Sequence, residues 1–330
     1  MKFLLIFILT FLSSCTPDKT QTQVEELKLP ELSKVDGEAA MKLVQQQIDF
    51  GPRHVNSEAS EKCANFIANF GRKLGYNVKI DIWSEGSGKN SRVFRNIICT
   101  KQGKGSQSVV CGSHYDTKIL TEYPKFTGAN DGASSTGLLM HIMGQVAKSK
   151  NWDENCSIQF VFFDGEEALV DFTGHFSSLE NTNTDGLNGS RRFVRNMYMK
   201  GDNTKCRAMI LLDMIGDKDF KLTIPSNSDE GLIKKTQEIA KQLKLSQYVS
   251  VMDAPGFVDD HIPFIQAGIA SIDLIDFEYG NQDPNNIGGS FWHTDKDTID
   301  KLSPKSLETC GTIFKHLLWQ LSHNPIVKKE

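Results

Sequence analysis

The residues able to do chemistry in this chain stand at the ends of apolar runs. Val109-Val110-Cys111 leads to His114-Tyr115-Asp116, and Phe160-Val161-Phe162-Phe163 leads to Asp164-Gly165-Glu166-Glu167. Met209-Ile210-Leu211-Leu212 leads to Asp213, Gly256-Phe257-Val258 to Asp259-Asp260-His261, and Phe291-Trp292 to His293. Thr127-Gly128-Ala129-Asn130-Asp131-Gly132-Ala133 is a loop of small residues carrying one carboxylate. Taken singly, each has an ordinary explanation. An acid or imidazole at a strand end is commonly a cap or a surface hydrogen bond, and Glu166-Glu167 alone reads as a solvated pair opening a helix. Together they form a set of hard oxygen and imidazole donors without a thiolate, which suits zinc in an open catalytic site.

Such residues need elements to hold them, and the pattern alternates strands with helices. Residues 37–50 and 57–74 read as helices, and 77–83 alternates as a strand should. Further strands are expected at 93–100, 108–113, 157–163, 206–212 and 270–275, with a helix over 133–148. Leu232, Thr236, Ile239 and Leu243 share one helix face. Ser303-Pro304 is an N-cap with Pro at the first helical position, followed by an apolar stripe from Leu307 to Leu321. The expected fold is α/β: a single domain with a central, mostly parallel mixed β-sheet and helices on both faces. In open sheets of this kind ligands bind at the carboxyl ends of the strands, where the acids and histidines lie.

Composition narrows the class. In 330 residues, 39% are hydrophobic and 24% charged, which excludes a disordered chain and a multi-span membrane protein. The net charge is −4 without a block of like charges, which argues against a nucleic-acid surface. A chain this long buries a core without staples, so the seven cysteines need not form a disulfide framework. No Cys-x-x-Cys occurs; of Cys63, Cys99, Cys111, Cys156, Cys206 and Cys310, the middle four lie in or beside apolar, strand-like runs and Cys310 on an apolar helix face. Buried free thiols are expected, and a monomer.

The N-terminus reads as an address. Lys2 precedes an apolar run from Phe3 to Leu12, too short to span a bilayer and suited to a signal peptide. It ends in Leu12-Ser13-Ser14-Cys15, which resembles a bacterial lipobox. The expected organisation is a lipoprotein signal over 1–14, a lipid-anchored tether over 15–34 with Cys15 lipidated, a catalytic domain over 35–325 and a tail over 326–330. The protein would then be held to a membrane of the bacterial cell envelope, facing the periplasm or the exterior.

The order His-Tyr-Asp, Gly-Ala-x-Asp, Phe-Phe-Asp-Gly-Glu-Glu-Ala, strand-end Asp, Asp-His-x-Pro-Phe and a late His-Thr is similar to the zinc aminopeptidase superfamily. Within it the chain resembles the glutaminyl-peptide cyclotransferases. Trp292 before His293, Asp259 before Asp260-His261-Ile262-Pro263-Phe264, Leu212-Asp213-Met214-Ile215-Gly216, and Gly189-Ser190-Arg191 after Glu167 carry that choice. Two positions depart from the animal cyclases: Phe172 stands where they have Trp, and Thr136 replaces one partner of their disulfide. A bacterial type is implied.

The resemblance implies a function. An N-terminal Gln would be cyclised to pyroglutamate by attack of its α-amine on its own γ-carboxamide, with loss of ammonia. One zinc per chain, held by Asp131, Glu167 and His293, would polarise the amide carbonyl. Glu166 would shuttle a proton from amine to leaving nitrogen, and Asp213 and Asp259 would accept hydrogen bonds from that nitrogen. Trp292 and Phe172 would wall the substrate, and the loop over 278–290 would rim the pocket. His114 and Asp116 would be the remnant of a second metal site, serving as a hydrogen-bonded pair. Substrates would be peptides or proteins with N-terminal Gln. All five ligand types of a dizinc site survive in His114, Asp131, Glu167, Asp213 and His293, so a dizinc aminopeptidase is the competing expectation. A non-catalytic binding module on the same fold is a third, disfavoured by the intact Glu166-Glu167 and His293.

Overall fold

The structure is a computed structural model that describes residues 29–88, 91–150, 152, 155–169, 185–284 and 286–323. Cys15, Phe172 and His175, on which expectations fell, lie outside the described residues.

Six strands form one mixed sheet: β1 (Asn77–Glu85), β2 (Arg92–Lys101), β3 (Ser108–His114), β4 (Ser157–Phe163), β5 (Cys206–Asp213) and, following the two short strands named below, β8 (Ser271–Ile275). Their spatial order is β1-β2-β4-β3-β5-β8, with β4, β3, β5 and β8 parallel and β1 and β2 antiparallel at one edge. The short strands β6 (Leu222–Pro225) and β7 (Val249–Met252) form a separate parallel pair.

The central strands are buried on both faces, and their side chains alternate between two cores. Val109 and Cys111 of β3, Phe160 and Phe162 of β4, and Ile210 and Leu212 of β5 enter the larger core. Val110, Val161, Phe163, Met209 and Leu211 enter the smaller one. This explains why these strands read as continuous apolar runs: a period of two with both faces dry leaves no polar position. The larger core is closed by α1 (Gly37–Ile48), α2 (Glu58–Lys73), α3 (Ser135–Lys148), α5 (Glu230–Gln242) and α7 (Pro304–His323). The smaller is closed by Phe193, Val194 and Met197 of α4 (Asn188–Lys200) and by Phe264 of α6 (Ile262–Gln266).

The chain leaves β3 for β4 on one side and leaves β4 for β5 on the other. That reversal places a crevice at the carboxyl ends of β4, β3 and β5. Residues 29–34, placed in the tether by sequence, pack on the domain. Leu29 joins the core surface, Gln145 Nε2 donates to Lys34 O at 2.8 Å, and Lys315 Nζ contacts Ser33. Cys63, Cys99, Cys111, Cys206 and Cys310 are buried free thiols, and Cys156 is buried.

Candidate metal centre

β3 ends on His114, and the following loop is fixed by a buried arginine. Arg53 Nε donates to Tyr115 O at 2.9 Å, while its two terminal nitrogens donate to Thr127 O (2.7 Å) and Gly128 O (3.2 Å). One guanidinium thus ties the His114 loop to the Asp131 loop. The Asp131 loop cannot begin as a helix, because Asp131 has ψ 98° and Gly132 has φ 91°. A Cβ on Gly132 would stand 2.9 Å from Asp116 O and 3.1 Å from His114 Cε1, so the close approach requires glycine.

Asp116 does not form the expected hydrogen bond with His114. Its Oδ1 lies 3.6 Å from His114 Nδ1, beyond hydrogen-bonding range. The Asp116 carboxylate instead accepts the backbone N–H of Glu166 (3.2 Å) and of Glu167 (3.3 Å), fixing the turn after β4. Asp297, which sequence reasoning missed, accepts the N–H of Asn130 (2.7 Å) and of Asp131 (3.2 Å) and the hydroxyl of Tyr279 (2.8 Å). The available signal was its place in the Asp-x-Asp that follows His293-Thr294.

These supports bring four donors together around Asp131. His114 Nε2 lies 3.3 Å from Asp131 Oδ1 and 3.1 Å from Asp213 Oδ1. His293 Nε2 lies 3.2 Å from Asp131 Oδ2 and 3.1 Å from Glu167 Oε1. His293 takes φ 53°, a left-handed conformation costly for a non-glycine residue. Two sets of three, His114–Asp131–Asp213 and Asp131–Glu167–His293, each present ligand atoms within 4.8 Å of one another. Ligands at about 2.0–2.1 Å from a tetrahedral zinc are roughly 3.3 Å apart, so the observed separations fit a metal. Asp131 Oδ2 is buried and, though 3.2 Å from His293 Nε2, accepts no hydrogen bond of good geometry among the described residues, which leaves it open to a cation.

Of the five donors, only His114 is off the cavity lining. His114 is buried and does not line the crevice, whereas Asp131, Glu167 and His293 line a cavity of about 690 Å³. Glu166, Asp213, Asp259 and Trp292 line the same cavity. Trp292 stacks on His293 with ring centroids 3.9 Å apart. In the loop over 278–290, Ile287 lines the cavity and Asn286 Nδ2 donates to Trp292 O at 2.7 Å. Lys118, also missed by sequence, places Nζ 3.1 Å from Glu167 Oε2.

Electrostatics separate the acids. Burial drives Glu166 well above the ordinary carboxylate range, with Glu167, Asp260 and Asp116 adding repulsion. Burial raises Asp259 well above its ordinary value, with Asp273, Asp213 and Glu166 nearby, and it also raises Asp213. Glu167 and Asp131 are lowered, because His293, and for Asp131 also His114, outweigh burial. Burial pulls His293 down, but Glu167 and Asp131 lift it to about 9. Carboxylates lowered by imidazoles thus stand in one cavity with carboxyls raised by burial, a contrast that metal-assisted acid–base chemistry uses.

The sequence pattern of peptidase family M28 matches residues 96–318. The chain is 24% identical to the glutaminyl-peptide cyclotransferase of Dictyostelium discoideum, over 94% of this chain and 94% of that protein. It is similar to the crystal structure of an Acidobacteriales bacterium glutaminyl cyclase: 30% identity, TM-score 0.79, covering 89% of this chain and 97% of the other. A solved structure described as a leucine aminopeptidase precursor from Bacteroides thetaiotaomicron is also similar, at 25% identity and TM-score 0.72, covering 88% and 98%.

Proposed function

The chain belongs to peptidase family M28, and from that premise we propose that it is a glutaminyl-peptide cyclotransferase, converting N-terminal Gln of peptides and proteins to pyroglutamate. The single observation that carries this reading is the convergence of Glu166, Asp213 and Asp259 on the one cavity lined by Asp131, Glu167 and His293. The cyclase names of the relatives support it.

Zinc fits Asp131, Glu167 and His293, and when bound it would supply a Lewis acid for the γ-carbonyl. The other tasks fall to the chain. Trp292 covers the alkyl part of the Gln side chain and holds it folded toward its own amine, so ring closure needs little further ordering. Glu166 takes a proton from the α-amine as its nitrogen bonds to the carboxamide carbon (Cδ of Gln), and returns it to the amide nitrogen as the Cδ–Nε2 bond breaks. Burial raises the Glu166 carboxyl, which favours its holding the proton between the two halves of that transfer. Asp213 and Asp259 accept N–H bonds from the departing nitrogen, and ammonia leaves.

One observation favours a second reading. The His114–Asp131–Asp213 set is complete, so a dizinc aminopeptidase remains the alternative. The test is a paired assay with a Gln-initiated and a Leu-initiated peptide, followed by mass spectrometry. Loss of ammonia from the first with the second intact supports the cyclase; cleavage of the second without ammonia from the first supports the aminopeptidase.

The lipobox-like Leu12-Ser13-Ser14-Cys15 supports a lipid anchor at Cys15 in the cell envelope. Among the described residues no helix is long and apolar enough to cross a membrane. Full-length protein should therefore fractionate with membranes, and Cys15→Ser should release it or stall its processing.

A further inference from the structure

The segment before α1 leads to one end of the molecule. Read backwards from Asp36, it runs along α3 toward that helix's C-terminus, about one turn at a time. The Asp36 N–H meets His141 Nε2 at 3.2 Å, and Lys34 O accepts from Gln145 Nε2 at 2.8 Å. Leu32 and Ser33 then share a cleft with Lys148, the last residue of α3. The chain after α3 enters β4, so this is the amino edge of the sheet, whereas the cavity lies at the carboxyl edge. The seven residues of β4 separate the two edges by roughly 20 Å.

Charge is divided along the same axis. In a chain of net charge −4, the cavity end gathers Asp131, Glu166, Glu167, Asp213 and Asp259. The amino edge from β1 to β5 instead carries Lys73, Lys101, Lys104, Lys148, Lys150 and Lys200, all exposed except the half-buried Lys101. Asp202 lies among them, paired with Lys205 at 2.9 Å. Lys73, Lys148 and Lys200 end helices, where a cation complements the dipole. Lys101 and Lys104 have no such reason, since they lie at the end of β2 and in the loop after it. Next to Lys200, Tyr198 is 60% and Met199 78% exposed. Basic side chains around exposed apolar ones suit a surface of anionic lipid headgroups.

Resting on the reading of Cys15 as lipidated, we infer that this basic edge, with Tyr198 and Met199, docks on an anionic phospholipid surface and that the cavity opens away from it. Cys15 lies fourteen residues before Leu29. Fourteen residues reach at most about 50 Å, so the tether brings the amino edge to the lipid without fixing which way the domain turns. Charge fixes it: the lysines are drawn to the anionic surface and the acids of the cavity end are repelled. The cavity then faces solvent, where the N-terminus of an exported chain enters it without meeting lipid.

The experiment co-sediments the mature chain from residue 15, carrying Cys15→Ser so that no lipid holds it, with phosphatidylcholine vesicles made with and without phosphatidylglycerol. Binding is expected to the anionic vesicles and should weaken as salt rises. Lys101→Gln, Lys104→Gln and Lys200→Gln together should weaken it on the order of 100-fold, about fivefold for each charge removed. Met199→Ser should weaken it severalfold. Lys125→Gln with Lys296→Gln, exposed at the cavity end, should leave it unchanged. Equal binding to both vesicles, or an equal loss in the Lys125 and Lys296 variant, overturns the surface. A dimer that Met199→Ser dissociates, without vesicle binding, assigns the edge to a second copy and overturns it too. The anchor is read separately, from the mass of the mature wild-type chain. A chain without lipid overturns the anchor and the tethered orientation, whereas a lipidated chain with no vesicle binding in Cys15→Ser overturns the surface alone, so the two failures are distinguishable.

Discussion

The carboxylate of Asp297 accepts the backbone N–H of Asp131 at 3.2 Å, so the acid shared by both candidate metal sets is held by an acid 166 residues away. Its other oxygen takes the Asn130 N–H and the Tyr279 hydroxyl, joining the ligand loop to the cavity rim. Asp297→Asn keeps the volume but turns an amide donor toward the Asp131 N–H. The expected outcome is about ten- to hundredfold weaker metal binding in a chelator competition, the range for loss of a group supporting a ligand. Unchanged affinity would show that the Asp131 loop holds itself.

Metal stoichiometry tests which of the two sets is used. The purified protein is expected to hold one zinc per chain by elemental analysis, lost in Asp131→Asn and in His293→Ala. His114→Ala should keep it, because His114 is not a member of the Asp131–Glu167–His293 set. Two tightly held zincs, with one lost in His114→Ala, would move the assignment to the aminopeptidase.

Asp116 accepts the backbone N–H of both Glu166 and Glu167, and the proposed mechanism gives the two adjacent acids different tasks. Glu166→Gln removes the proton carrier and leaves Glu167 its contact with His293. Turnover of a Gln-peptide should fall by roughly 10²-fold or more with metal retained. Wild-type turnover in this variant would remove Glu166 from the mechanism.

Metal removal should reshape the pH dependence of stability. His293 is raised to about 9 from an ordinary 6.5, since Glu167 and Asp131 outweigh the burial that pulls it down. The charged imidazole therefore contributes stability that is complete below about 6.5 and is lost as pH climbs through about 9. Thermal melts of chelator-treated protein should show Tm falling across that window. Zinc-loaded protein should hold its Tm there, because a metal-bound imidazole is already neutral. Parallel curves for the two forms would mean that no metal sits on His293.

Much of the site was legible because strand physics is local. In β3, β4 and β5 both faces are dry, so an apolar run ends where the strand emerges, and the first acid or histidine beyond it stands at the sheet's carboxyl edge. That logic marks His114, Glu166-Glu167 and Asp213 from the sequence alone. Phe193, Val194 and Met197 of α4, and the four-residue strands β6 and β7, were not read from the pattern. Strands that short carry too few residues for a period of two to stand out.

The sequence by itself determined the ligand types, their order along the chain and the alternation that builds a parallel sheet under them. Only the tertiary structure decided how they meet. It made Asp131 the common member of two sets, turned Asp116 from an imidazole partner into a clamp on the Glu166–Glu167 backbone, and recruited Arg53, Lys118 and Asp297. These roles rest on contacts between segments far apart in the chain, such as Arg53 with Tyr115 and Asp131 with Asp297. Helical and strand periods report only which face of an element is dry. They carry no signal for the direction in which a buried polar side chain finds its partner, because that partner is supplied by another element's place in the fold.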